Sequence, residues 1–247
     1  MQELLTSQFW LGLGAIIWVN IILSGDNAVV IALAARSLPQ KQQKQAVFWG
    51  AAAAVVLRII LTAVAVELLK LSFLKLIGGA LLFWIAIKLL LPEEDEADVK
   101  ASDQLFAAIK TILVADLVMS LDNVIAVAAV AKGSLVLLVL GLLISIPLVV
   151  YGATMLMKLM DRYPVIITVG AALIGYVAGE MLVTDPVVID WFRSNAHLML
   201  DFELLTLFGY KFELSGAGLI GVVIVVAVGK WLARRQQTAA GAEKPNS

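Results

Sequence analysis

The stretch Asn20-Ile21-Ile22-Leu23-Ser24-Gly25-Asp26-Asn27 decides how the chain is read. It lies inside an apolar run from about Phe9 to Ala35, long enough to cross a bilayer at about 1.5 Å per helical residue. An ionisable side chain there costs about 2.5–3.5 kcal/mol on insertion scales, so Asp26 is not an incidental residue. The pattern recurs as Asp116-Leu117-Val118-Met119-Ser120-Leu121-Asp122-Asn123 in a later apolar run. Positions 20, 24, 26 and 27 reappear at 116, 120, 122 and 123, a constant displacement of 96. Two copies of a costly pattern at matching places imply two halves of one site.

The rest of the chain sets the surroundings of that site. Of its 247 residues, 62% are hydrophobic, and mean hydropathy is +0.98. Several runs reach the roughly 20 apolar residues that span hydrocarbon as helix. Short alternating strands of a membrane β-barrel are not seen. The class is therefore an all-α polytopic membrane protein. A net charge of −1 leaves no basic footprint for nucleic acid, and the absence of cysteine excludes disulfides, thiolate metal sites and redox dithiols. Met1-Gln2-Glu3 lacks the basic segment of a cleaved signal peptide, so the first span is expected to persist.

Seven transmembrane helices are expected, at about 9–35, 46–69, 73–91, 105–131, 134–157, 164–183 and 215–232, the third and sixth near the minimum length. Arg36, Lys41, Lys44, Lys88, Lys100, Lys110, Lys158, Arg162, Lys230, Arg234, Arg235 and Lys244 fall on one side. Lys70, Lys75, Lys132, Arg193 and Lys211 fall on the other. The basic excess places the first side in the cytoplasm, with the N-terminus outside and the C-terminus inside. Residues 1–235 are read as a single transmembrane domain. Repeat one covers about 9–91 and repeat two about 105–183. Three spans per half make the second half enter from the opposite side, the inverted 3+3 repeat of many transporters, here with an added C-terminal helix. Gly79-Ala80-Leu81-Leu82 and Gly170-Ala171-Ala172-Leu173 echo each other, and Gly175 and Gly179 give a helix-contact spacing. An acidic linker, 92–104, separates the halves. An exterior loop, 184–213, has Asp185-Pro186 as a start for a short helix carrying Trp191 and Phe192. Residues 236–247 read as a disordered cytoplasmic tail.

On a helix Asn20, Ser24 and Asn27 share a face, as do Asp116, Ser120 and Asn123. Asp26 and Asp122 join that face if the backbone opens locally, which Gly25 favours in the first copy and Leu121 does not in the second. The donors are all oxygen: carboxylates of Asp26, Asp116 and Asp122, amides of Asn20, Asn27 and Asn123, hydroxyls of Ser24 and Ser120. Such a set suits hard divalent cations. Three acids placed independently in hydrocarbon cost roughly 10 kcal/mol, whereas interhelical hydrogen bonds are worth about 0.6–2 kcal/mol each. Packing alone is thus a poor reason for them, and an exchange of metal for protons follows as a hypothesis. Arg58 lies mid-span in the second segment, where it either holds a motif carboxylate in the empty state or forms a fixed structural pair. Glu180, near the exterior end of the sixth span, stands either at an entry point or in solvent. The single histidine, His197, falls in the exterior loop. No HExxH or GxSxG motif is present, so an enzyme is not expected.

The pair Ser24-Gly25-Asp26-Asn27 and Ser120-Leu121-Asp122-Asn123, with Val56-Leu57-Arg58 and Gly175-Tyr176-Val177-Ala178-Gly179-Glu180, resembles the TerC family of integral membrane proteins, most nearly its short bacterial branch. The resemblance spans about Phe9 to Leu232. It implies efflux of Mn²⁺ from the cytoplasm of a bacterium through its plasma (inner) membrane, with Mn²⁺ as transported ion and no permanently bound cofactor. It carries over to Asp26, Asn27, Asp122 and Asn123; Asn20 and Asp116 are added from the repeat. Expected partners are the lipid bilayer and a divalent metal ion, with a second copy or an exported protein as further candidates. A metal-delivery role for exported metalloenzymes, or transport of another hard cation such as Ca²⁺, are the alternatives.

Overall fold

Helix dominates because most of the chain is apolar on every face, and in hydrocarbon only an intra-segment hydrogen-bond ladder satisfies the backbone. The computed structural model describes residues 7–68, 71, 73–91, 101–131, 134–189, 201–207 and 210–242. Its helices are α1 (Ser7–Leu23), α2 (Gly25–Ala35), α3 (Gln40–Leu68), α4 (Leu74–Leu90), α5 (Ala101–Ala131), α6 (Leu135–Arg162), α7 (Val165–Val183) and α8 (Gly216–Ala242). Strands β1 (Asp201–Leu207) and β2 (Tyr210–Ser215) pair antiparallel, Asp201 opposite Ser215.

The polytopic all-α class stands. Five helices, α3, α5, α6, α7 and α8, are long and apolar enough to cross a membrane, and α1 with α2 forms a sixth candidate bent by 49°. The third expected span, α4, has 17 residues, at the lower limit of crossing length, and is not among these six. The first span is broken at Ser24 (φ −106°, ψ 3°), where the Ser24 carbonyl accepts the Ala28 N–H at 3.0 Å and the helix resumes in a new direction. Its repeat counterpart α5 runs unbroken through Leu121.

Three expectations about the ends change. Residues 101–104, assigned to the linker, form the first turn of α5, and 92–100 lie outside the described residues. Residues 236–242, expected to be disordered, continue α8: Gln236, Ala239, Ala240 and Ala242 are good helix formers, and the Thr238 hydroxyl donates to the Arg234 carbonyl at 2.9 Å. The loop expected to be exterior holds most of the β1–β2 hairpin, which ends at Ser215. A helical turn does begin at Pro186, its amide at Val187 donating to Asp185 Oδ1 at 3.0 Å. Trp191, Phe192 and His197 lie outside the described residues.

The helices group into two compact units, Met1–Leu71 with Asp98–Pro164, and Ser72–Ala97 with Val165–Ser247. Each unit takes elements from both repeats. In the first unit α3 packs on α5, and α6 packs on α1 and α2, so the second span of each repeat lies against the first span of the other. The close approaches correspond. Ile112 of α5 sits over Gly50 of α3, where an added Cβ would lie 2.8 Å from Ile112 Cδ1. Ile16 of α1, 96 positions before Ile112, sits over Gly141 of α6 in the same way. Ile16, Val55, Leu138 and Leu142 form the buried cluster there.

In the second unit α4 and α8 pack on α7. A Cβ at Gly175 would lie 2.7 Å from Val225 Cγ2 and 2.9 Å from the Gly221 carbonyl, and one at Gly179 would meet the Ala217 carbonyl, so both glycines of the expected contact spacing are used. The Tyr176 hydroxyl accepts the Ser215 N–H at 3.0 Å. Large apolar side chains such as Trp10, Trp18, Ile77, Trp84, Tyr151 and Val223 are exposed, the surface expected of helices bathed in lipid rather than water.

Candidate functional site

Arg58, 4% exposed, stands near the middle of α3 and gathers the repeated motif around its guanidinium. A cation placed mid-span needs partners, since an uncompensated charge in hydrocarbon is costly. Nη2 donates to Asp116 Oδ1 at 2.6 Å, an ion pair with both side chains buried. Nε donates to Ser120 Oγ at 3.0 Å, and Nη1 to Asn20 Oδ1 at 2.9 Å and Ser24 Oγ at 3.4 Å. The second carboxylate oxygen of Asp116 accepts the Ser120 hydroxyl at 3.2 Å, one helical turn away. One side chain thus links Asn20 and Ser24 of the first copy to Asp116 and Ser120 of the second.

Asn20 is fixed from both ends of its amide. Its oxygen also accepts the Ser24 hydroxyl at 3.3 Å, and its Nδ2 donates to Ser145 Oγ on α6. Ser145 is fully buried, and its own hydroxyl donates to the Leu142 carbonyl at 2.7 Å. Asn27 differs. It is 4% exposed, yet neither Oδ1 nor Nδ2 has a hydrogen-bond partner. Leaving such groups unpaired costs about 1–3 kcal/mol each. Asn27 lines a cavity shared with Asn20, Ser24, Arg58, Asp116 and Ser145. The space open to the centre of a water molecule is about 20 Å³, room for about one water.

Six sequence-named residues therefore meet: Asn20, Ser24, Asn27, Arg58, Asp116 and Ser120. Asp26 does not line this cavity; it is half-buried in the first turn of α2, and its Oδ1 accepts the Asn27 N–H at 2.8 Å. Asn123 is half-buried on α5, and the Asp122 side chain lies outside the description. Among the described residues no three of His, Cys, Asp or Glu form a group that could hold a metal ion, and the described carboxylate lining this cavity, that of Asp116, stands with amides and hydroxyls. Glu180 belongs to the second unit, where it is hydrogen-bonded to Tyr176 one turn before it on α7. Its neighbour Asp185 is fully buried and holds backbone, accepting Leu76 N–H at 3.2 Å and Val187 N–H at 3.0 Å. Ser145 is the member not named from sequence; a hydroxyl two residues before Pro147 in an apolar span was the available signal.

The model of the integral membrane protein TerC family matches residues 5–237. The Bacillus subtilis membrane protein YjbE is 44% identical over 177 residues, covering 72% of this chain and 81% of that protein. YceF of the same organism is 31% identical over 190 residues, 72% and 74% of the two chains. The Escherichia coli inner membrane protein YgdQ is 25% identical over 173 residues, 63% and 73%. No solved structure matches.

Proposed function

The chain belongs to the TerC family of integral membrane proteins, and from that premise we propose that it carries a divalent cation across the bacterial inner membrane, Mn²⁺ outward from the cytoplasm. The observation that carries this reading is the buried oxygen-donor cluster at the broken first span, built from both repeats and containing the unpaired amide of Asn27. Structural polar contacts are satisfied polar contacts; a buried amide with neither group paired is a position kept for something that arrives. Carboxylate, amide and hydroxyl oxygens select hard cations over soft ones. The break at Ser24 supports the same reading, because discontinuous helices at repeat interfaces are where transporters place ion sites. Protons are the counter-ion: a motif carboxylate outside the Arg58 network, Asp26 at the helix break, takes up a proton for the return.

The test is Mn²⁺ flux into proteoliposomes holding only this protein, with Asp116→Asn and Asp26→Ala beside wild type and Ca²⁺ and Mg²⁺ as competitors. Saturable flux, reduced at least tenfold by Asp116→Asn and dependent on an opposing proton gradient, is expected. Folded wild type that binds Mn²⁺ and moves none would replace transport with metal delivery to an exported protein.

A further inference from the structure

We propose that Arg58 is a tethered counter-cation: its guanidinium occupies the transported ion's place, and the ion enters only as the guanidinium leaves. This rests on the transport reading, and it adds that two cations compete for one set of oxygens.

The geometry supports it in three independent ways. The oxygens a hard cation would use, Asp116 Oδ1, Ser120 Oγ, Asn20 Oδ1 and Ser24 Oγ, are the ones to which Arg58 donates. The cavity beside them holds about one water, whereas a divalent ion with even part of its hydration shell needs several times that space. Volume for the ion is therefore created by removing the guanidinium. Asn27, paired with nothing, is the donor in the same cavity that an arriving ion or its water meets without first displacing Arg58.

The repeat supplies the third. Where the second copy has Asp116 the first has Asn20, so the halves differ by one negative charge. In the second spans Gly50 matches Gly141, a displacement of 91, so Arg58 corresponds to Val149, an uncharged residue lining the same cavity. The halves thus also differ by one positive charge. The two departures from symmetry are the two members of the ion pair. The acid that strengthens the site for a cation came with a cation that fills it while it is empty. Such an arrangement excludes ions of weak charge density and returns the carboxylate to a paired state after release, so an empty carrier does not carry an unpaired charge through the membrane.

The experiment is titration of the purified full chain in nanodiscs with Mn²⁺, followed by electron paramagnetic resonance of the free ion, for wild type, Arg58→Lys and Arg58→Gln. Competition predicts tighter binding as the guanidinium is weakened and then removed: about threefold for Arg58→Lys and at least tenfold, equivalent to about 1.4 kcal/mol, for Arg58→Gln. Proteoliposome turnover should fall in both, since release loses its driver. A merely structural Arg58 gives the opposite sign, with binding weakened in both variants, and that result overturns the proposal, as does binding unchanged in both. If Arg58→Gln does not fold, the sign in Arg58→Lys decides. Wild type that binds Mn²⁺ without flux sinks transport but leaves the order of affinities to be read. No Mn²⁺ binding in any of the three chains overturns both.

Discussion

Asn27 is the residue whose cost and use are most sharply opposed. Its amide is buried without partners, so replacing it with an apolar side chain of similar shape removes a desolvation penalty of about 1–3 kcal/mol. Asn27→Leu should therefore raise thermal stability in detergent without divalent ions by about 1 kcal/mol, while weakening Mn²⁺ binding several-fold. A melting curve paired with a binding titration checks both, and a loss of stability would mean that an ordered water satisfies the amide. Much of this site was legible at the residue level, because acids and amides in an apolar run are rare enough to stand out. A motif carboxylate was one of two readings for Arg58; which carboxylate it takes, and that Asn20, Ser24 and Ser120 join it, was not legible, since a side chain able to pair in several directions does not announce which one packing selects. Ser145 escaped because serine is common in membrane helices and only its full burial against Asn20 marks it.

Among the elements, the contrast between the broken first span and the unbroken α5 was foreshadowed by Gly25 against Leu121, one residue permissive of a bend and the other a strong helix former. The β1–β2 hairpin was not foreseen. A register irregularity between Glu203 and Thr206 disrupts the strict two-residue alternation that marks a strand. The exchange of spans between repeats was equally hidden, because periodicity gives the apolar content of a helix and not the identity of its neighbour. Close helix contacts are testable here. Gly175 faces the Gly221 carbonyl, backbone that cannot rotate away, so Gly175→Ala should destabilise α7 against α8 by about 1–3 kcal/mol. Gly14→Ala, with nothing within 4 Å of the added carbon, should be neutral. Denaturation of the two variants in the same detergent compares them directly, and equal stability would contradict the packing described for α7.

At the scale of the whole molecule, the chain is a multi-pass integral membrane protein, and its basic residues predict an orientation. A chain without cysteine makes this simple to examine. A single cysteine at Lys41→Cys, among the basic residues after the first span, should resist a membrane-impermeant maleimide in right-side-out vesicles, and Leu71→Cys, exposed between α3 and α4, should react. The reverse pattern would invert the molecule and, with it, the direction assigned to transport. The polytopic helical class was legible from hydropathy alone; the count of seven was not, since five helices and one bent pair reach crossing length among the described residues and α4, with 17 residues, falls short.

That short span has a consequence of its own. Seventeen residues of α4 rise about 26 Å, against roughly 30 Å of hydrocarbon. Lys75 and Lys88 stand near its ends, Lys88 folded over the Trp84 ring at 5.3 Å, so the helix cannot gain length without drawing a charge into oil. As a span, α4 would meet such a bilayer by local thinning of the lipid or by snorkelling of its flanking lysines. The acyl-chain length of the host membrane then becomes a variable of the protein's own free energy, and bilayers of differing thickness become a way to load or relax α4 without changing a single residue.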